Sequence, residues 1–150
     1  MGHPSAAMPL YFHPLYTDGI APEARFPRER YRRIAARLAD HGDAISICDA
    51  PAATQSEISI AHDPTYVARF LSGQMGDAER RRIGLRPWTD LIIPRTRHLI
   101  GGAIAALTDV VRDGGIAANM AGGTHHAHYD WGAGYCVFND LAICARLAVQ

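Results

Sequence analysis

The chain has 150 residues, 48% of them hydrophobic and 20% charged, enough for one domain with a real core. Fifteen basic and fifteen acidic side chains cancel, so no field across the whole molecule would recruit nucleic acid or an anionic membrane. Every basic residue is an arginine, which excludes a phosphate-loop lysine or a lysine Schiff base, and Cys48, Cys136 and Cys144 form neither a CxxC pair nor an even-numbered disulfide framework.

These features describe a soluble, unanchored protein of the reducing cytoplasm. The start Met1-Gly2-His3-Pro4-Ser5-Ala6 has no signal-peptide pattern, and the longest apolar run, Leu99 to Leu107, is too short to span a bilayer. Residues 1–9 are expected to form a disordered lead-in, and residues 10–150 a single domain. Leu10 to His13 reads as a short strand closed by Pro14, followed by a loop from Tyr16 to Pro27. Tyr31, Ile34, Ala35 and Leu38 fall on one face of a helix that Gly42 stops. Ala44 to Cys48 predicts a strand, and Ser56 to Ala61 a further short extended piece.

Asp63-Pro64 supplies an N-cap and a first-turn proline for a helix that ends near Gly73. Gly76 to Arg86 reads as a polar loop or short helix, and its arginines, like those of 28–37, as solvated surface. From Trp88 the pattern is helical, with Pro94 as a kink or restart, until Gly114-Gly115. Gly101-Gly102-Ala103 within it would admit another backbone at close range. Ile116 to Met120 predicts a strand, and Leu141, Cys144, Ala145 and Ala148 a last helix. Helices alternating with short apolar strands indicate an α/β fold with a parallel sheet.

Chemistry concentrates in Ala121 to Asp140, which holds three of the eight histidines, two acids, one cysteine and four glycines. Open α/β sheets place their sites just beyond a strand's carboxyl end, where this loop begins. The adjacent His125 and His126 could reach two points of one reacting group, which suits general acid/base work because imidazole titrates near neutral pH. Alternatively, His125, His126, His128 and Asp130 could chelate a metal. Gly132 and Gly134 with Trp131, Tyr135 and Phe138 suggest a tight turn walling an apolar channel, and equally fit core aromatics beside a turn. Cys136 reads as a small buried thiol, and Asn139 and Asp140 as caps of the last helix. His13, His41, His62 and His98 read as structural or solvated.

Ala121-Gly122-Gly123-Thr124-His125-His126-Ala127, followed by Gly134-Tyr135-Cys136-Val137-Phe138-Asn139-Asp140, resembles the signature of the histone deacetylase superfamily. Phe12-His13-Pro14, Arg25-Phe26-Pro27 and Arg82-Ile83-Gly84-Leu85-Arg86-Pro87-Trp88 resemble the bacterial relatives of its class IV enzymes. The resemblance implies an arginase-deacetylase type parallel sheet flanked by helices, and zinc-dependent hydrolysis of an N-acetylated amine such as acetyl-lysine. It further implies that His126 is the general base and then acid, and His125 an electrostatic helper. Gly134 and Tyr135, where the family more often has phenylalanine, would line the acyl-lysine channel, with Cys136 near the acetyl pocket.

The family's zinc ligands, transition-state tyrosine and histidine-orienting carboxylates lie downstream of this region, and none can be placed before Gln150. The chain is therefore expected to be the N-terminal part of one deacetylase domain, incomplete in its sheet and inactive alone, with Zn2+ ligands beyond Gln150. The other reading is a non-catalytic metal-binding or interaction module. A sheet cut at this point would expose Leu99 to Val111 and Leu141 to Val149, to be covered by a homodimer partner or a complementing chain. The expected partner is an acetylated lysine or other acylated amine, with no direct nucleic-acid contact and no membrane.

Overall fold

The computed structural model describes residues 7–150. A three-stranded parallel sheet has β1 (Met8–Phe12) at its centre, β2 (Ile45–Asp49) on one side and β3 (Ala118–Asn119) on the other. Met8 lies opposite Ile45 and Phe12 opposite Asp49, while Leu10 faces Ala118 and Tyr11 faces Asn119. The first strand thus begins at Met8, two residues before its predicted start, Ala7 precedes it outside regular structure, and residues 1–6 of the expected lead-in lie outside the described residues. The helices are α1 (Leu15–Asp18), α2 (Glu29–Leu38), α3 (Gln55–Ile58), α4 (Pro64–Leu71), α5 (Asp77–Ile83), α6 (Ile92–Asp113) and α7 (Asp140–Ala148). The α/β fold with a helix-flanked parallel sheet is the one the sequence predicts.

Local chemistry explains where the elements start. Asp63 accepts from the Tyr66 N–H at 2.8 Å and Pro64 occupies the first turn of α4, where a missing N–H costs nothing. Pro94 neither kinks nor restarts α6: it sits in the first turn, among the N–H groups that lack an intrahelical partner in any case. The predicted extended piece at 56–61 is instead α3. Thr54 accepts from the Glu57 N–H at 3.2 Å while the Glu57 carboxylate accepts from the Thr54 N–H at 2.7 Å, a reciprocal capping box that favours a helical turn.

The 22-residue α6 packs against β1, β3, α1 and α7. Its Gly101 permits the close approach expected there: a Cβ at this position would stand 1.9 Å from the Pro51 carbonyl oxygen. The core gathers Tyr16, Ile20, Tyr66, Phe70, Ile83, Ile100, Phe138 and Ile143. Phe70 and Tyr66 meet Phe138 edge-on, with ring centroids 5.1 and 5.5 Å away, a favoured aromatic geometry. Of the faces expected to be bare, Leu99, Ile100, Ala106 and Ile143 are buried, Ile104, Leu107, Val110 and Leu147 are half-buried, and Val111, Leu141, Ala145, Ala148 and Val149 are exposed.

Candidate active site

The loop between β3 and α7 is held by residues at its two ends and by one histidine from outside it. Asp140, at the first turn of α7, is 3% exposed. Its carboxylate accepts from the Gly123 N–H at 2.9 Å, the Thr124 N–H at 2.8 Å and the Thr124 hydroxyl at 2.8 Å. The Thr124 oxygen in turn accepts from the Asp140 N–H. Asn139 is the N-cap, accepting from the Ala142 N–H at 3.0 Å, and its amide donates to the Ala127 carbonyl at 3.2 Å. The pair expected only to cap a helix therefore also clamps both sides of the tandem histidines.

His62, just before α4, is 1% exposed. Its Nε2 accepts from the Asn139 N–H at 2.9 Å, so the ring proton sits on Nδ1 and is donated to the Tyr129 carbonyl 3.0 Å away. Burial pushes this imidazole below the ordinary histidine pKa, outweighing the hydrogen bond to Tyr129. Tyr66 of α4 donates to the Val137 carbonyl at 2.9 Å. The loop is thus seated on α4 at three backbone points.

Within this frame His125 and His126 lie side by side, ring centroids 4.3 Å apart and planes at 40°, both exposed to the surface. The chain reverses at Ala133–Cys136, whose two backbone hydrogen bonds of 3.0 and 2.8 Å enclose Gly134 (φ +54) and Tyr135 (φ +69). Positive φ at both central residues is the type I′ pattern, unfavourable for a tyrosine. The Tyr135 N–H is fastened to the Ile83 carbonyl at 2.7 Å, which holds the turn against the end of α5. Gly134 touches the imidazole of His126 so closely that a Cβ would lie 3.0 Å from its Cγ. Cys136 is buried and its thiol is pushed up by burial, which keeps it protonated.

These residues line one cleft of about 200 Å³. It contains Gly122, Gly123, Thr124, His126, Gly134, Tyr135 and Cys136, and its far wall is Phe26, Arg30, Tyr31, Arg95 and Leu99. Of the predicted site residues, His126, Gly134, Tyr135 and Cys136 share the cleft, and His125 stands beside His126. Sequence reasoning missed Arg95. This side chain is 3% exposed, donates from Nε to the Tyr16 carbonyl at 3.2 Å and lies over Phe26 and Tyr31 at 5.4 and 6.0 Å. The available signal was its spacing, three residues after Ile92 and four before Leu99, which puts it on the apolar face of α6.

The four-residue chelate of His125, His126, His128 and Asp130 is not formed. Among the described residues no three His, Cys, Asp or Glu side chains converge so as to hold a metal ion. The reason is local: the turn closed by the His128 N–H to the Trp131 carbonyl at 2.9 Å lays the His128 ring on Trp131, centroids 3.7 Å apart and nearly parallel.

The histone deacetylase domain model matches residues 24–150. The chain belongs to the histone deacetylase family. It is 34% identical over 144 residues to an uncharacterized protein of Picosynechococcus sp., covering 95% of this chain and 47% of that one. It is 31% identical to the polyamine deacetylase HDAC10 of Rattus norvegicus, covering 75% of this chain and 20% of the relative. To the acetoin utilization protein AcuC of Staphylococcus aureus it is 29% identical, with 63% and 26% covered. The HDA15 HD domain superposes with a TM-score of 0.75 at 18% identity, covering 97% of this chain and 44% of that domain, which places this deacetylase-family chain in the same fold. The chain spans about half the length, or less, of these relatives.

Proposed function

We infer that the protein is a deacetylase-type hydrolase acting on an N-acetylated amine, acetyl-lysine or a similar acylated amine, with His125 and His126 as its acid/base pair. The observation that carries this is the placement of His126 in a cleft with Gly134, Tyr135 and Cys136, on a loop that Asp140, Asn139 and His62 hold in place. Catalytic side chains need such support, since small misplacements are costly in rate.

In this reading the Tyr135 ring and the Gly134 backbone flank the extended acyl-amine chain. The ring is held edge-on to Phe26 at 5.4 Å. His126 takes a proton from the attacking water as its oxygen bonds to the acyl carbon, then returns that proton to the amine nitrogen as the C–N bond breaks, leaving acetate and the free amine. His125 stabilises the charge that develops beside it. Among the described residues no set of His, Cys, Asp or Glu side chains fits a metal ion by itself. The family's zinc would take its ligands from polypeptide outside these 150 residues.

The test is acetate release from an acetyl-lysine peptide. The 150-residue chain alone is expected to show none, and a longer polypeptide that contains it is expected to show turnover abolished by chelation. Zinc-dependent turnover by the 150-residue chain would overturn the assignment of the ligands. A catalytically silent longer form that still binds zinc would favour the non-catalytic module.

A further inference from the structure

Next to the histidine cleft, and sharing Gly134 and Tyr135 with it, lies a wider one of about 820 Å³. Four arginines line it: Arg25 from the loop before α2, Arg81 and Arg82 from the last turn of α5, and Arg86 just beyond. Glu23 is the one carboxylate in its wall. Among the described residues none of the four arginines makes a side-chain hydrogen bond or ion pair, a state shared by Arg33, Arg37 and Arg146 outside the cleft, whereas Arg28, Arg32, Arg69 and Arg112 each hold a carboxylate. Arg82 does rest on the Trp131 ring, 5.2 Å from its centroid.

All four are exposed, and the simplest account is a solvated surface in which arginines of a helix's last turn also offset its dipole. The dipole covers Arg81 and Arg82 and leaves Arg25 and Arg86, which lie outside α5 and reach the same cleft from segments about sixty residues apart in the chain. The chain as a whole is neutral, so a local surplus of three positive charges is a concentration, not a reflection of composition. The position is also informative. Tyr135 is tied to the Ile83 carbonyl, which fixes the arginine-bearing end of α5 at the mouth of the histidine cleft. Whatever carries an acylated amine to His126 must lay its remainder near these guanidinium groups.

We propose that this cleft selects substrates by negative charge, so that the acylated amine is an acetyl-lysine flanked by acidic residues in a peptide, and polycationic acylated amines are disfavoured. The proposal rests on the deacetylase reading for what enters the histidine cleft, and on the four arginines for what lies outside it. Guanidinium groups pair with carboxylates in a fork geometry that gives orientation as well as attraction.

The experiment is fluorescence anisotropy with the 150-residue chain and labelled peptides that differ only in flanking residues, Asp/Glu against Arg/Lys around one acetyl-lysine. At low salt the acidic peptide should bind at least about tenfold more tightly, about 1.4 kcal/mol, and 0.5 M NaCl should erase most of the difference. Arg25→Gln and Arg86→Gln should each reduce the preference. Should either fail to fold by circular dichroism, the two-peptide comparison on the unaltered chain still decides. Equal affinities, or tighter binding of the basic peptide or of an N-acetylated polyamine, would overturn the proposal, as would stronger binding of a single-stranded RNA of similar length. If the acidic peptide binds equally well with unmodified lysine, the charge preference stands and the acyl-site reading fails.

Discussion

Replacing Asp140 tests whether the histidine loop depends on a single buried carboxylate. In the native arrangement its two oxygens serve the Gly123 N–H, the Thr124 N–H and the Thr124 hydroxyl, all at 2.8–2.9 Å. Asp140→Asn preserves volume but turns one oxygen into a donor facing other donors. At least one charge-assisted bond is lost and a part-buried N–H loses its acceptor, a cost of roughly 1.5–3 kcal/mol, and Asp140→Ala, which removes every bond to the carboxylate, should cost at least as much. With a urea slope of about 1–3 kcal/mol/M, the Asn variant should lower the unfolding midpoint by roughly 1 M. Circular dichroism reports that midpoint, and the ring signals of His125 and His126 in a ¹H–¹³C spectrum should shift in the same variant. A midpoint within 0.2 M of the parent and unshifted histidine signals would refute the clamp.

Other predictions follow from close contacts and titration. Gly101→Ala places a Cβ 1.9 Å from the Pro51 carbonyl oxygen, a backbone atom, and should destabilise by about 3 kcal/mol; an unchanged urea midpoint would contradict this packing. Gly134→Ala, at φ +54 and against His126, should cost about 1–2 kcal/mol and move the His126 ring signal more than that of His125. His62 and His13 both titrate below the ordinary histidine value because of burial, His13 also because His98 stacks on it at 3.6 Å. The unfolded chain therefore binds their protons first, so stability is complete above about pH 6.5 and declines below it, by at most about 1.4 kcal/mol per pH unit for each histidine. Equal urea midpoints at pH 7.5 and 5.5 would contradict that sign.

Much of the fold could be seen in the sequence because its signals are local. Asp63-Pro64 announces α4, the glycines of α6 announce a close neighbour, and a short apolar run before a histidine-rich loop announces β3 and the site. The miss at α3 is also local: Thr54 and Glu57 stand at capping-box spacing, a signal for a helical turn that the extended reading of 56–61 passes over. What the sequence could not show depends on tertiary approach. Asp140 reads as a helix cap until Gly123 and Thr124 are brought to it, and His62 reads as an isolated histidine until Asn139 and Tyr129 fix its tautomer. Arg25 and Arg86 lie far apart in the chain, and Tyr135 joins their segments at one cleft, its ring meeting Phe26 and its N–H bonded to the Ile83 carbonyl.

The most direct test of the central claim pairs turnover with metal content for His126→Ala in a longer, active polypeptide containing this chain. If His126 moves the proton, turnover should fall by roughly 10²–10⁴-fold, while zinc per chain stays at the parent's value. Turnover within a few-fold of the parent, or a loss of zinc that parallels the loss of activity, would contradict the acid/base role assigned to this loop.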